Sequence, residues 1–303
     1  MHDALSRFNR EAERIIKQFY DSLPHAAPNI IYHYTNDIGL KGILETGRLW
    51  LTDIFQLNDP SELKHGFDIA LAALGSKVAS ATPTKKQFGQ LIADCFKRTG
   101  IQGSAQFLVC ALSSCGDDLG QWRAYADNGR GYALGFDGKV LEKAFFDSGD
   151  ADAFPITYND AELRKVDGAI IDAYFKFVDL ETILRSGASK SDIADLCTHL
   201  TMHLLHAAIF FKHKAYENEK EYRFLRTYSA GAQIPGLKQR PRRYSLIPYA
   251  DFEWRIAAPA AFKTLIVGPS DQKKAGQFAE DCLRLTGLQG VSIAYSQIPY
   301  RAV

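Results

Sequence analysis

The residues near the start of the chain that are most suited to chemistry lie in the run IYHYT, a strand pattern that leads into a helix. His33 and Thr35 are polar positions in an otherwise strand-like apolar run, and Tyr34 stands between them. Side chains at the end of a strand that feeds a helix can point into a cleft, where His33 would hold a ligand. The alternative is an interior histidine that only fills space.

A second concentration of polar and aromatic residues lies in the segment DDLGQWRAYADNGRG. Trp122 and Tyr125 are three positions apart on its helical turn, so they share a face and can stack on a base or pack on the core. Core packing is the simpler interpretation for Trp122, whereas Tyr125 stays open to either role. The candidates in this segment are Asp117, Asp118, Gln121, Trp122, Arg123, Tyr125, Asn128 and Arg130.

Three glutamates alternate in YENEKEYRFLR, at Glu217, Glu219 and Glu221. On a strand they would share one face, where carboxylates so close together repel one another. Such an arrangement is costly unless a function requires it or cations such as Lys220 and Arg223 offset it. The pattern therefore indicates a candidate acidic site.

Histidines recur in CTHLTMHLLHAAIFFKHK, where His199, His203 and His206 fall at i, i+4 and i+7 on one helical face. That geometry is able to hold zinc. The segment has no HExxH glutamate, however, and the same face carries leucine and alanine, so we predict a structural role and no metal. Cys110 and Cys115 have no evident base partner, which favours buried thiols over nucleophiles.

Charge gives little support for a polyanionic partner when it is summed over the whole chain. Lysine and arginine number 36 against 35 aspartates and glutamates, so the formal charge of +1 favours neither nucleic acid nor a membrane surface nor an acidic substrate. The clear basic cluster is LKQRPRRYS, residues 237–245. We expect a solvated loop there, and the alternative is a contact with the phosphates of a nucleic acid.

Length and composition indicate a globular protein with a substantial core, since the chain has 303 residues of which 46% are hydrophobic. The five cysteines are odd in number and lack CxxC spacing, which disfavours a disulfide framework and a cysteine zinc site. The N-terminal segment is charged and amphipathic, and no apolar run reaches the length of a membrane span. We expect a soluble, cytoplasmic protein without an export signal.

Hydrophobic periodicity predicts an α+β fold in which strands and helices do not alternate regularly. We expect one domain over residues 1–303, with an N-terminal helix in 1–24 and a helical insertion in 160–215 that is broken near Gly187 and Ser189. The remaining predicted helices are a capped helix in NDIGLKGILETG with Gly47 at its C-terminus, helices over 60–99 and 271–286, and a helix and loop over 139–153. The predicted strands are NIIYHYT, RLWLTDIF, AQFLVCALSS, GYALGF, AFPITYND, EYRFLRTY, RRYSLIPY, FKTLIVGP and VSIAYS.

The blocks YHYT, GLKGILETGRLWLTD, LNDPSE, QWRAYA, GYALGF, ENEKEYRFLR and TLIVGPS through SQIPYR together resemble a bacterial family of unknown function, DUF2971, over almost the whole chain. More distantly, a strand-borne histidine, an aromatic block and a late strand-borne glutamate are similar to the H-Y-E order of ADP-ribosyltransferase folds. The pair Glu219 and Glu221 resembles the E-x-E of some of those enzymes, whereas their Ser-Thr-Ser block is absent. The resemblance implies a split mixed sheet of the ADP-ribosyltransferase type with a helical insertion.

The same resemblance implies that NAD is the substrate and that no metal takes part. Breaking the nicotinamide glycosidic bond passes through an oxocarbenium-like state, which a carboxylate beside the ribose stabilises. Glu221 is the expected catalytic carboxylate, and Glu219 would orient the acceptor or the ribose. His33, Tyr125 and Glu221 should therefore converge on one cleft.

The other residues that the resemblance assigns would hold the NAD molecule. They are His33 with Tyr34 and Thr35 at the adenosine ribose, Tyr125 or Trp122 on the nicotinamide, and Arg123 or Arg130 at the pyrophosphate. The acceptor would be an unidentified protein or nucleic acid, as for an intracellular toxin or a phage-defence effector. Two alternatives stay open on the same fold: a catalytically inactive nucleotide-binding or interaction module, and an RNA phosphotransferase-like enzyme with arginines dominating its cleft.

Overall fold

A computed structural model of the chain describes residues 1–22, 28–57, 62–99, 105–149, 151–229, 231–242 and 244–301. Helices and a mixed sheet together confirm the α+β class. The helices are α1 (His2–Ser22), α2 (Asp37–Thr46), α3 (Glu62–Val78), α4 (Pro83–Thr99), α5 (Leu119–Tyr125), α6 (Gly138–Asp147), α7 (Asp160–Phe177), α8 (Leu180–Arg185), α9 (Lys190–Ala208), α10 (Trp254–Ala257) and α11 (Gln272–Leu285). The strands are β1 (Ile30–Thr35), β2 (Leu49–Asp53), β3 (Ala105–Ser113), β4 (Tyr132–Asp137), β5 (Asp152–Pro155), β6 (Glu221–Ser229), β7 (Lys238–Arg242), β8 (Ser245–Phe252), β9 (Phe262–Val267) and β10 (Ser292–Tyr295).

Strand β3 is the strand around which the sheet is organised. Strand β6 pairs antiparallel with β3 over its whole length, from Ala105 to Ser113, and so occupies one edge of it. A strand has only two edges, so β1 and β2 must share the other. Strand β2 pairs there at Leu108 and Val109, and β1 pairs at Ser113 alone. The backbone of residues 110–112 is therefore left between two strands that diverge, and the sheet is split at this point.

The rest of the sheet extends outward from that split on both sides. Beyond β1 lie β4, β9 and β10 in that order, and beyond β2 lie β8 and then β7. Only the pairing of β9 with β10 is parallel among the strand pairs that the structure describes, which makes the sheet mixed.

Helices cover both faces of the sheet. Adjacent residues of one strand point to opposite faces, so each strand contributes side chains to both layers of helices. On one face, Val109 and Leu225 pack with α1, α3, α4, α7 and α9. On the other face, their neighbours Leu108 and Phe224 pack with α2, α6 and α11. The helices of residues 160–208 thus pack together with α1 and α3 on the first face. No helix in the described residues has the length and apolar character needed to cross a membrane.

Local sequence signals set the first strand and helix as expected. The side chain of Asn36 accepts a hydrogen bond from the backbone N–H of Gly39 at 2.8 Å, which caps the N-terminus of α2 directly after β1. Gly47 ends the helix with a φ of +66°, a left-handed conformation that favours glycine. Strand β1 therefore stops at a fixed point, with His33 close to its end.

Several expected boundaries differ from the structure. The helical stretch expected over 160–215 has a further break after Phe177, and its last helix ends at Ala208. Residues 209–213 are not helical, and Phe211 forms an isolated bridge with Thr157. In the LNDPSE block, residues 58–61 lie outside the described residues, as do residues 23 and 24 of the expected N-terminal helix.

The basic segment 237–245 is wrong as a loop prediction. Lys238–Arg242 forms strand β7, which pairs antiparallel with β8 from Lys238 opposite Tyr249 to Arg242 opposite Ser245. Strand propensity gives no warning of this, because proline and a high charge density disfavour strands. Strand β7 ends the sheet order, and an edge strand is where a proline such as Pro241 is tolerated.

Gly131 positions β1 against the turn before β4, and replacing it should destabilise the fold. A Cβ at Gly131 would lie 2.2 Å from the carbonyl oxygen of Thr35 and 3.0 Å from the backbone of Ala126. We expect Gly131→Ala to lower the free energy of unfolding by about 1–3 kcal/mol in urea titrations. Gly42→Ala is the matched control, because a Cβ there would meet nothing within 4 Å, and it should raise stability by about 0.5–1 kcal/mol. Equal effects of the two variants would contradict this packing.

Candidate functional site

A cavity of about 440 Å³ opens where the sheet splits. Its floor includes β1 residues 32–34 and β3 residues 109–113, and its walls come from β2, α5, β7 and the segment that precedes β6. A volume of this size falls within the range of small-molecule sites in proteins. The position follows from the topology, since the two strands on one edge of β3 diverge there.

Glu221 lies at the first position of β6 and is held by two cations. Its Oε1 accepts from Arg223 Nε at 2.5 Å, and its Oε2 accepts from Lys212 Nζ at 3.1 Å and from Arg223 Nη2 at 3.2 Å. The Arg223 side chain is fully buried, and Nη1 also donates to the carbonyl of Ile209 at 2.8 Å. Only 5% of the Glu221 side chain is exposed. Both carboxylate oxygens of Glu221 are therefore occupied by buried partners.

These contacts determine the protonation state of Glu221. Burial raises the pKa of its carboxyl group, but the positive charges of Arg223 and Lys212 and their hydrogen bonds outweigh burial and hold that pKa below its usual value. The group is thus a carboxylate at neutral pH. The backbone N–H of Glu221 donates to the hydroxyl of Tyr158 at 3.0 Å, which fixes the start of the strand as well.

Glu219 is the more accessible of the two carboxylates. Its Oε2 accepts from Lys212 Nζ at 2.5 Å and its Oε1 accepts from the hydroxyl of Tyr125 at 2.9 Å. The side chain of Glu219 is 17% exposed, against 5% for Glu221. Burial and the nearby Glu219 carboxylate both raise the pKa of Tyr125, so its hydroxyl stays protonated and donates. Lys212 therefore links the two glutamates into one network.

His33 also lines the cavity, opposite the gap in β3 pairing. Its Nδ1 is enclosed and has no hydrogen-bond partner among the described residues. Burial lowers the pKa of His33, and a hydrogen bond with the backbone of Ala111 only partly offsets that effect. The ring is neutral at pH 7, and it forms part of the cavity lining although its Nδ1 atom is enclosed.

Helix α5 brings Tyr125 to the cavity through the packing of its neighbour Trp122. The Asp118 side chain caps the helix by accepting from the Gln121 N–H at 2.9 Å. Trp122 is fully buried, meets the Tyr34 ring edge-on at 4.8 Å and donates from Nε1 to Asp117 at 2.7 Å. Trp122 is therefore a core residue, as the simpler interpretation had it.

The structure brings five of the predicted site residues together and leaves four elsewhere. His33, Tyr34, Tyr125, Glu219 and Glu221 line the cavity. The residues expected to help bind NAD that do not line it are Thr35, Trp122, Arg123 and Arg130. Trp122 is buried in the core, so its ring cannot face the cavity. Arg123 and Arg130 have exposed side chains. Thr35 is the last residue of β1 and lies against Gly39.

The expectation that the three alternating glutamates share one strand face is wrong. Glu217 and Glu219 belong to a 3-10 turn over Lys214–Glu219, and Lys220 has a left-handed φ of +44° that redirects the chain before β6. Only Glu221 is on the strand. Arg223 does compensate the acidic pair, but the second cation is Lys212 and not Lys220.

Sequence reasoning did not assign Lys212, Trp50, Arg240 or Arg242 to this site, although all four line the cavity. Lys212 directly follows Phe211, which forms the isolated bridge, and Trp50 is an ordinary aromatic in the β2 pattern. Arg240 and Arg242 come from the supposed loop. Their alternation in LKQRPRRYS is the one signal that was present. With Lys212, Arg223, Arg240 and Arg242 against Glu219 and Glu221, the ionised lining carries a net charge of +2.

The histidine face of α9 has its own partners in the structure. His199 Nδ1 and His203 Nε2 each lie 3.1 Å from Oδ1 of Asn9 on α1, and His203 meets the Phe8 ring edge-on. Burial lowers the pKa of His203 to about 3, so this ring is neutral in the folded protein. Among the residues that the structure describes, no group of three or more histidine, cysteine or acidic side chains is arranged to hold a metal ion.

Comparison with known proteins adds one finding. Residues 121–224 match a family model described as a protein of unknown function (DUF2971). That segment contains Tyr125, Lys212, Glu219, Glu221 and Arg223, so the ionised network lies inside the matched region. No curated protein and no solved structure matches the chain.

Removing the charge of Glu221 should destabilise the fold. Glu221→Gln leaves the fully buried Arg223 without its counter-ion, which costs about 3–5 kcal/mol in comparable buried pairs. Glu219→Gln should cost less, about 1–2 kcal/mol, because Lys212 keeps Glu221 as its partner. Glu45→Gln is the control, since Glu45 and its partner Lys41 are both half-exposed, and its effect should stay within about 0.5 kcal/mol. Urea unfolding monitored by circular dichroism measures all three. A loss at Glu221 no larger than at Glu45 would contradict the buried pair.

The Glu221→Gln substitution should also make the free energy of unfolding less dependent on pH in the acid range. Because the folded pKa of Glu221 lies below the ordinary value of 4.5, the stabilisation by its carboxylate is fully present above pH 4.5 and is lost as pH falls through the folded pKa. The difference in unfolding free energy between the native protein and Glu221→Gln should be constant above about pH 5.5 and shrink at lower pH. Unfolding titrations over a pH series provide the measurement. A difference that does not change with pH would show that Glu221 is not ionised in the folded state.

Proposed function

We propose that the cavity binds NAD and that the protein transfers or hydrolyses its ADP-ribosyl group. The observation that carries the proposal is the convergence of His33, Tyr125 and Glu219 on one cavity from three distant parts of the chain. The resemblance to the H-Y-E order of ADP-ribosyltransferases had assigned these kinds of residues to NAD.

The electrostatics of the cavity suit such a ligand. NAD carries a negatively charged diphosphate, and the ionised lining has a net charge of +2. Aromatic rings at Tyr125 and Tyr216 provide flat apolar surface for bases. The neutral ring of His33 lines the cavity, where it can contact a ribose.

We assign the stabilising carboxylate to Glu219 in place of the expected Glu221. A carboxylate that faces an oxocarbenium-like ribose needs an oxygen that can approach it. Both oxygens of Glu221 are engaged by Arg223 and Lys212, and two adjacent cations oppose a developing positive charge. Glu219 is three times more exposed, at 17% against 5%, and shares only one cation. Glu221 is then a positioning residue that holds Lys212.

The reaction under this assignment is a displacement at the ribose C1′ atom. The bond from C1′ to the nicotinamide nitrogen breaks, and its electron pair stays on that nitrogen, so nicotinamide leaves as a neutral molecule. A new bond forms between C1′ and a nitrogen or oxygen of the acceptor, or of water in hydrolysis. The acceptor loses its proton to the carboxylate of Glu219. Tyr125, whose hydroxyl donates to Glu219, keeps that carboxylate in place.

One observation favours a second candidate from the same fold. Three arginines, Arg223, Arg240 and Arg242, line the cavity beside Lys212, which is the composition expected of an RNA phosphotransferase-like site. In that reaction the arginines would hold a phosphate and the carboxylates would be dispensable. A binding module without activity would take up NAD and release no nicotinamide.

The test is release of nicotinamide from NAD by the purified protein, with and without cell extract, followed by chromatography. We expect turnover in the native protein and a loss of about 100-fold or more in Glu219→Gln, as for other removals of a group that stabilises transition-state charge. Arg123→Gln and Arg130→Gln are matched controls outside the cavity and should be unchanged. No release by the native protein, or equal rates in Glu219→Gln, would rule the proposal out. A lower rate of nicotinamide release by Glu221→Gln counts as a catalytic effect only if circular dichroism shows that the variant is folded.

A further inference from the structure

One face of the sheet beside the cavity carries aromatic and cationic side chains together. Strand β2 pairs with β8, and β8 pairs with β7, so directly opposite residues share a face, as do residues two apart along each strand. Thr52 lies opposite Tyr249, and Tyr249 lies opposite Lys238. The side chains that this register places on the cavity face include Trp50, Tyr249, Asp251, Lys238, Arg240 and Arg242. We call Trp50, Tyr249, Arg240 and Arg242 the rim surface.

The rim surface is open to solvent and continuous with the cavity. Trp50 is 46% exposed, which is high for so large an apolar ring. The Arg240 guanidinium lies 5.1 Å from the Trp50 ring centroid, and the Tyr249 ring lies 4.7 Å from it. Trp50, Arg240 and Arg242 also line the cavity. A ligand that enters the cavity can therefore extend over this face without interruption.

The rim surface carries two cationic groups, Arg240 and Arg242, and Arg242 Nη1 also donates to the carbonyl of Gln56 at 2.8 Å. The carboxylates at this edge, Asp251 and Glu253, are engaged by Arg48, and Asp251 also by Lys238. Arg240 has an enclosed Nε with no hydrogen-bond partner among the described residues. Arg240 and Arg242 are two residues apart on one face of β7, where like charges repel, and burial followed by the charge of Arg242 lowers the pKa of Arg240. A phosphate between them would offset that repulsion.

We propose that the rim surface binds single-stranded nucleic acid, with a base stacked beside Trp50 and a backbone phosphate at Arg240 and Arg242. Flat aromatic rings interleaved with cations are the combination that sequence-tolerant single-strand binding uses. A duplex keeps its bases stacked within the helix and offers Trp50 no ring. An acidic polypeptide would engage the arginines but gains nothing from an exposed tryptophan. The bound nucleic acid serves as the acceptor of the ADP-ribosyl group, and this role alone rests on the proposed function.

The position of the rim surface explains how such a strand would reach the reacting atom. Arg240 and Arg242 lie on the wall of the same cavity that contains Glu219, so a nucleotide bound beside Trp50 can direct its neighbour inward. In the transfer, a nitrogen that bears a hydrogen, or a hydroxyl oxygen, of that nucleotide attacks C1′ of the NAD ribose. Nicotinamide leaves with the electron pair of the broken bond, and the proton of the nucleotide passes to Glu219.

The experiment measures fluorescence anisotropy of a labelled 12-nucleotide DNA strand, the RNA strand of the same sequence and the corresponding DNA duplex, without NAD. We expect both single strands to bind more tightly than the duplex. The difference in affinity between the DNA strand and the RNA strand shows which of the two the surface prefers. Trp50→Ala should weaken binding about 10-fold or more, whereas Trp50→Phe retains a ring and most of the affinity. Arg240→Gln with Arg242→Gln should lower the slope of log affinity against log salt by about 1.4, as expected for two single-strand phosphate contacts.

The charge-matched control removes two cations far from the cavity. Arg7→Gln with Lys17→Gln changes two exposed side chains of α1 and should leave the affinity and the salt slope as they are in the native protein. The proposal would be overturned if neither the DNA strand nor the RNA strand bound the native protein, or if Trp50→Ala bound them as tightly as the native protein does. Tight binding of polyglutamate that Trp50→Ala does not weaken would assign the surface to an acidic polypeptide instead. Strand binding in a protein that releases no nicotinamide would keep the nucleic-acid surface and refute only the NAD chemistry.

Discussion

The ion pairs of Glu221 with Arg223 and Lys212 are the interaction on which the candidate site depends. Arg223 is fully buried in the sheet, and a charge there is tolerated only with a counter-ion and further hydrogen bonds. Glu221 supplies the counter-ion and the carbonyl of Ile209 supplies a hydrogen bond. The network then extends through Lys212 to Glu219 and from there to the hydroxyl of Tyr125.

This network links parts of the chain that are far apart in sequence. Lys212 follows the helices that cover one face of the sheet, Glu221 begins the strand at one edge of β3, and Tyr125 ends a short helix anchored by Trp122. A displacement of any of these elements would separate a buried charge from its partner, at a cost of several kcal/mol. The site is therefore preorganised by electrostatics as much as by apolar packing, and its carboxylates keep their positions without a ligand.

How far the sequence predicted this arrangement depended on the range of the signal. The capped helix after β1 was predicted well, because Asn36 and Gly47 act on the backbone within a few residues of themselves. The meeting of His33 with Tyr125 was expected only from the order of blocks in a family resemblance. Alternation predicted a strand through Glu219, but the left-handed Lys220 interrupts it, and periodicity does not register a single such residue. Lys212 was missed because nothing local indicates which carboxylate a lysine will meet after folding.

The edge strand β7 has a consequence for how the molecule behaves among copies of itself. An exposed strand edge is a template on which another chain can add a strand, and proteins limit this with proline and with charge. Pro241 lacks the N–H that a newcomer would need, and Arg240 and Arg242 on either side would confront the same residues of a second copy with like charges. The strand that forms the cationic wall of the cavity thus also protects the protein against self-association at its edge. The cationic wall of the cavity and the protection of the sheet edge are in this way properties of the same five residues, and a change that neutralised the arginines would weaken a barrier to aggregation.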